Sequence, residues 1–220
     1  MFAKFAGALA AMASRAEYFQ IDIDSINAAT IRQICDTPAH IASAFVVADT
    51  ELRPLLPLAW RDLTTLERRY LFAAAVAHNL KPYGPGTTAD LQSILQARTL
   101  DCSNYGLLTH YLASGYFDTS ASMDVAFVGW DGGAIGNHQM LFANDTSRKA
   151  GPQLLLDPTV GLAARANFDQ IASGQPLPRQ NILALNATSE LAASRQQIVS
   201  ALDRGAFKPS DLMPIPLVPA

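Results

Sequence analysis

The chain has 220 residues, of which 50% are hydrophobic and only 16% charged, and its formal net charge is −3. A chain of this size and apolar content can bury a substantial core, so global disorder is excluded, and the slightly acidic balance leaves no electrostatic footprint for nucleic acid. Two cysteines, Cys35 and Cys102, are too few for a disulfide framework or a four-cysteine zinc site, and no apolar run is long enough for a membrane-spanning helix.

Residues 5–19 are alanine-rich and read as a helix. The same stretch, with Lys4 ahead and Arg15 behind, has the outline of a short signal peptide. Alanine is weakly hydrophobic, so the helix is preferred; the compartment is left open, with the cytoplasm favoured over secretion, which follows if residues 1–16 act as a signal. Asn144-Asp145-Thr146 and Asn186-Ala187-Thr188 match glycosylation acceptors, which matter only under secretion. Asp24-Ser25 can cap a helix over 26–35 that Pro38 stops, and residues 39–48 are ambiguous between helix and strand. After Pro54 and Pro57, Thr64 or Thr65 with Glu67 opens a helix over 65–79. Its Leu66, Tyr70, Ala73, Ala74 and Ala77 recur at helical spacing.

Lys81-Pro-Tyr-Gly-Pro-Gly86 breaks the chain, and Thr88 or Asp90 begins a short helix to about Arg98. Asp101 is placed to cap a helix over Cys102–Ser114, with Tyr105, Leu108 and Leu112 on one face and Gly115 closing it. The pattern then changes. Residues 123–130 alternate as a strand, 131–136 form a turn-rich connector, 138–143 make a second strand, and 153–156 a third that Asp157-Pro158 ends. Gly132, Gly133 and Gly136 are hairpin glycines and not a phosphate loop, since no Lys-Ser/Thr follows. Residues 173–181 read as a linker, 188–203 as a last helix, and the proline-rich end from Gly205 as extended. Helices first and an antiparallel meander after them make an α+β layout, with N-terminal helices packed on an antiparallel sheet. The expected organisation is a helical extension over 1–60, a core over 61–165, and a linker, helix and tail over 166–220 packed on the same domain.

Cys102 carries the most chemical information. A helix start presents free N–H groups and partial positive charge, which favour a thiolate nucleophile and can hold an oxyanion. A nucleophilic thiolate needs an imidazole partner, and the imidazole an orienting group. His110 lies eight residues along the same helix, about 12 Å up its axis, too far to pair. His78 ends a helix, as a capping or dipole partner does, and His40 has no visible orienter. His138 begins a strand and Asp157 ends the next. Opposing those two residues would centre the connecting loop at 147.5, close to the middle of the polar stretch 144–152. The apolar alternation His138, Met140, Phe142 then places His138 on the face covered by helices, where Cys102 is expected. A hairpin centred on residue 134 would set Trp130 opposite His138, as a wall of the site. Gln96, six residues before Cys102, and Tyr83, in the Pro/Gly-rich loop, are further candidates for oxyanion or substrate contact. Cys35 reads as structural.

The segments Leu100-Asp-Cys-Ser-Asn-Tyr-Gly-Leu-Leu108, Gly136-Asn-His-Gln-Met-Leu-Phe142 and Leu154-Leu-Leu-Asp-Pro-Thr159 resemble the transglutaminase-like superfamily of papain-fold enzymes, most closely its bacterial cysteine-proteinase-like branch. The resemblance covers about residues 60–165. It implies a papain-like core and a Cys102, His138 and Asp157 triad. The chain departs from the family pattern at Leu100, Ser103-Asn104 and Gln139. The function expected is a cysteine-dependent hydrolase of an amide or peptide bond, acting through an acyl-enzyme on a peptide, protein or other acyl substrate. An acyltransferase resolving the same intermediate, or a binding module on the same fold, are the alternatives. No cofactor and no metal are implied.

Overall fold

The computed structural model describes residues 19–20, 45–46, 49–50, 53–114, 123–131, 137–148, 151–185, 191–210 and 212–215. Helix α1 (Thr65–Leu80) starts on a capping box: the Thr64 hydroxyl accepts the Glu67 N–H, and the Glu67 carboxylate accepts the Thr64 N–H. Helix α2 (Leu91–Gln96) is capped by Asp90, which accepts the Ser93 N–H. Helix α3 (Cys102–Ser114) is capped by Asp101, whose Oδ1 accepts the Asn104 N–H at 2.9 Å. From Asn104 to Ser114 every residue of α3 is buried, as expected of a helix apolar on nearly all sides. Gly106 permits its close approach to the sheet, since a Cβ there would lie 2.4 Å from Phe127 Cε1.

The described strands are β1 (Phe19–Gln20), β2 (Met123–Asp131), β3 (Asn137–Asp145), β4 (Gln153–Asp157), β5 (Leu162–Ala166), β6 (Ile182–Ala184) and β7 (Leu212–Pro214). They form one sheet in the order β1-β6-β5-β4-β3-β2-β7, antiparallel except for the parallel β1–β6 pair. A short helix α4 (Phe168–Ala172) follows β5, and α5 (Ala192–Asp203) follows β6. Helices α1 and α3 share one core with Leu141, Ala143, Leu154, Leu156 and Leu183. Helix α5 shares the other with Val128, Met140, Phe142, Leu155 and Ile182. The sheet is thus buried on both faces, and the α+β class with an antiparallel sheet holds.

Several expectations change in detail. Strands β5 and β6 fall where no element was expected. The stretch 173–181 is a packed connection: Leu177 is buried, its N–H bonds the Leu202 carbonyl, and Arg179–Asn181 forms a single 3-10 turn into β6. The proline-rich end contributes β7, which pairs with β2, because Leu212 and Met213 continue a ladder along an open edge. Phe19, expected to end a helix, lies in β1, and Phe45 and Val46 are helical. The last helix begins at Ala192 rather than 188. The helix over 26–35, Gly115 and the connector 132–136 lie outside the described residues.

Candidate active site

Cys102 is a partly buried free thiol on the first residue of α3. The turn beneath it is fastened through Asp101: its Oδ1 accepts from the Ser103 hydroxyl at 2.7 Å as well as from Asn104, and its carbonyl accepts the Tyr105 N–H at 3.0 Å. The N–H of Cys102 is one of the first-turn donors that a helix leaves without an intrahelical acceptor. The Pro/Gly-rich loop lies against this helix start. Gly84 N–H bonds the Leu100 carbonyl at 3.0 Å, and Leu100 N–H bonds the Pro82 carbonyl at 3.1 Å. Asn104, itself buried, accepts the Thr87 N–H at 2.7 Å and donates Nδ2–H to the Thr87 carbonyl at 3.3 Å. A Cβ at Gly86 would run into the Asp101 carboxylate, so any larger residue there would have to displace that cap. Leu100 through its backbone groups and Asn104 through its side chain thus hold this loop, and the Thr99 hydroxyl adds a bond to the Pro85 carbonyl at 2.9 Å.

His138 is 0% exposed and Asp157 1% exposed, and His138 Nε2 lies 2.8 Å from Asp157 Oδ2. Asp157 Oδ1 accepts the N–H groups of Thr159 at 3.2 Å and Val160 at 3.3 Å. Burial acts against a charged ring at His138. The Asp157 carboxylate, by charge and hydrogen bond, and then the Cys102 sulfur overcome it and push the ring up to about 10. The other nitrogen, Nδ1, is buried without a partner of normal geometry, so the approach of the sulfur is looser than a full hydrogen bond, as in many unliganded catalytic sites.

The expected register is off by two residues. Leu141 pairs with Leu156 and Phe142 with Leu155, which by extension sets Asp157 opposite Met140 rather than His138. A slip of two keeps the face, so the carboxylate still reaches the ring on the diagonal. The expected face differs too. Met140 and Phe142 pack with α5, while Leu141 and Ala143 pack with α1 and α3. His138 comes near Cys102 not by sharing the α3 face but by lying at element ends: it is the second residue of β3, beyond the last β3–β4 pair, and Cys102 is the first of α3.

Comparison with known proteins finds no matching family model, no matching curated protein and no matching solved structure.

The remaining candidates are placed as follows. Trp130 is the Cα partner of His138, as expected, is buried, and stacks on Phe207 with ring centroids 5.4 Å apart. Tyr83 lies near the site: burial raises its hydroxyl, and the Cys102 sulfur and Asp101 carboxylate add to the rise. Gln96 is exposed at the end of α2, and no described contact joins it to Cys102. His110 is buried with Nδ1 3.0 Å from the Tyr70 hydroxyl, away from the sulfur as its helix position requires. His40 and Cys35 lie outside the described residues. Among the described residues no cluster of three His, Cys, Asp or Glu side chains could hold a metal ion, and no helix is long and apolar enough to cross a membrane. Asn104 escaped sequence reasoning because its partner is a backbone group in a distant loop. His78 did so because its partner is the Pro158 carbonyl, 80 residues away.

Proposed function

We propose that this protein is a cysteine-dependent hydrolase of an amide or peptide bond, built on a papain-like core of the transglutaminase-like kind, with Cys102 as nucleophile, His138 as acid and base, and Asp157 as the orienting group. The observation that carries the reading is the buried 2.8 Å His138–Asp157 bond, with the ring pushed up to about 10 under the influence of Asp157 and Cys102. The ring that so holds its proton lies beside the Cys102 sulfur, which attacks as the thiolate. The sulfur adds to the substrate carbonyl carbon, and the oxygen takes the negative charge facing the first-turn N–H of α3. The His138 proton passes to the leaving nitrogen as the C–N bond breaks, leaving a thioester on Cys102. Water then attacks that thioester. Neutral His138 takes its proton, and the acid product leaves as the thiolate and imidazolium reform. Asp157 keeps the ring in the tautomer and orientation that both half-reactions use.

The test is acyl trapping. The native protein is incubated with a panel of p-nitrophenyl esters of different acyl size, and intact mass with peptide mapping follows the adduct. The expected result is a burst of nitrophenol with one acyl group on Cys102, lost in Cys102→Ala. Release of nitrophenol without any adduct on Cys102, or equal release from Cys102→Ala, contradicts the proposal.

A further inference from the structure

The Asp157 carboxylate sits on a tight turn, and that turn has a second anchor. Its own N–H groups at Thr159 and Val160 hold Oδ1. On the other side, the His78 ring at the end of α1 places Nδ1 2.8 Å from the Pro158 carbonyl oxygen. A carbonyl oxygen only accepts, so Nδ1 carries the hydrogen. The ring also lies flat against Gly161: a Cβ there would come within 2.7 Å of His78 Nε2, and Gly161 has φ +70, a conformation natural to glycine. The Gly161 carbonyl in turn accepts the Leu185 N–H at 2.8 Å, which ties the end of the turn to the end of β6. Asp157, Thr159 and Val160 are all buried, so the turn has no solvent to adjust to if an anchor is lost.

The geometry points to His78 as a positioning residue of this site: by donating Nδ1–H to the Pro158 carbonyl and filling the space over Gly161, it fixes the turn that presents Asp157 to His138. The inference rests on the hydrolase reading above. Burial holds the His78 ring below the ordinary histidine range; of the charged groups acting on it, Arg195 on α5 works in the same direction and Asp157 in the opposite one. The donor is therefore a neutral imidazole, and a neutral amide can replace it. Asparagine offers an Nδ2–H close to the place of Nδ1, whereas leucine keeps bulk and offers none.

The experiment follows two readouts in the wild type, His78→Leu, His78→Asn and His138→Ala: the rate of Cys102 alkylation by iodoacetamide across pH, and the His138 ring titration by NMR. In His78→Leu the His138 midpoint should fall, and alkylation near neutral pH should slow by about tenfold to a hundredfold, the scale of a misplacement near 1 Å. His78→Asn should recover most of both. A residue that only supports the fold would lower the melting temperature and leave the His138 midpoint in place, and that result overturns the inference. If His138→Ala itself leaves alkylation unchanged, the hydrolase reading falls and the role of His78 with it. If His138→Ala slows alkylation and His78→Leu does not, only the role of His78 falls. Should His78→Leu fail to fold, nitrogen-15 spectra of the wild-type ring decide: the neutral Nδ1–H tautomer is required, and the Nε2–H tautomer overturns the inference.

Discussion

Replacing Asp157 with asparagine removes a charge and almost no volume. The amide oxygen can still accept from the Thr159 and Val160 N–H groups, so the turn keeps its anchors. What is lost is the largest influence raising His138, while burial, which lowers it, remains. The rise from 6.5 to about 10 corresponds to about 5 kcal/mol in favour of the charged ring, at about 1.4 kcal/mol per tenfold change in the proton equilibrium. In Asp157→Asn the ring should therefore titrate near or below 6.5. Linkage gives the sign. A histidine raised on folding contributes stability that is fully present below 6.5 and is lost as pH rises toward about 10. The variant should be less stable than the wild type by a few kcal/mol near neutral pH, and the gap should close as pH approaches 10. Acylation of Cys102 should fall on the order of 10²- to 10⁴-fold, because the ring loses both its charge and its orientation. Urea unfolding from pH 6 to 10, with ring carbon-13 NMR of His138, measures both effects. A stability difference that does not change with pH, or an unmoved His138 titration, would mean that Asp157 does not carry the rise at His138.

Other expectations follow from particular contacts. Iodoacetamide at pH 6–7 should modify Cys102 faster than Cys35 in the folded protein, and equal slow labelling of both would count against the nucleophile. Gly106→Ala should cost about 1–3 kcal/mol by driving a methyl into Phe127, and Phe127→Leu in the same chain should recover part of that loss; additive effects in the urea midpoint would contradict the close approach. Arg148→Ala should cost about 1–3 kcal/mol, because Arg148 donates to both oxygens of Glu67, at 3.0 and 2.9 Å, and its loss leaves that buried carboxylate with the Thr64 N–H of the capping box as its remaining donor; a change below about 1 kcal/mol would place that pair with ordinary surface ion pairs. Burial lowers His78 and His110, so the unfolded chain takes up protons below about 6.5 that the folded rings refuse. Stability should fall as pH drops from 7 to 5, and a flat unfolding midpoint over that range would contradict it.

The helix starts were legible because each cap is local. Thr64, Asp90 and Asp101 each accept the N–H three residues ahead, and nothing distant competes. The β2–β3 hairpin was legible for a similar reason, since its short connector leaves one register that sets Trp130 opposite His138. The register of β3 on β4 was not. Asn144 and Asp145 are polar yet still belong to β3, so the polar stretch does not mark where the ladder ends, and its centre shifted by one residue. The face of His138 was unreadable from alternation because both sides of β3 are apolar, one under α3 and one under α5. Strand β5, Leu162-Ala-Ala-Arg-Ala166, has the composition of a helix and is held extended by β4 and β6 on either side, an outcome that tertiary pairing decides. Of the candidate site, the Cys102, His138 and Asp157 positions came from element ends and spacing. The roles of Leu100, Asn104 and His78 depend on backbone carbonyls and N–H groups that no side-chain pattern reveals.

On the proposed reading, His138 makes Cys102 reactive. The most direct measurement is the rate of Cys102 alkylation in the native protein at pH 6.5, compared between the wild type and His138→Ala, with peptide mapping to assign the label. The variant, folded as judged by circular dichroism, should react at least about tenfold more slowly, since only the thiolate reacts and the ring that would take the thiol's proton is gone. Equal rates in the two proteins would contradict it.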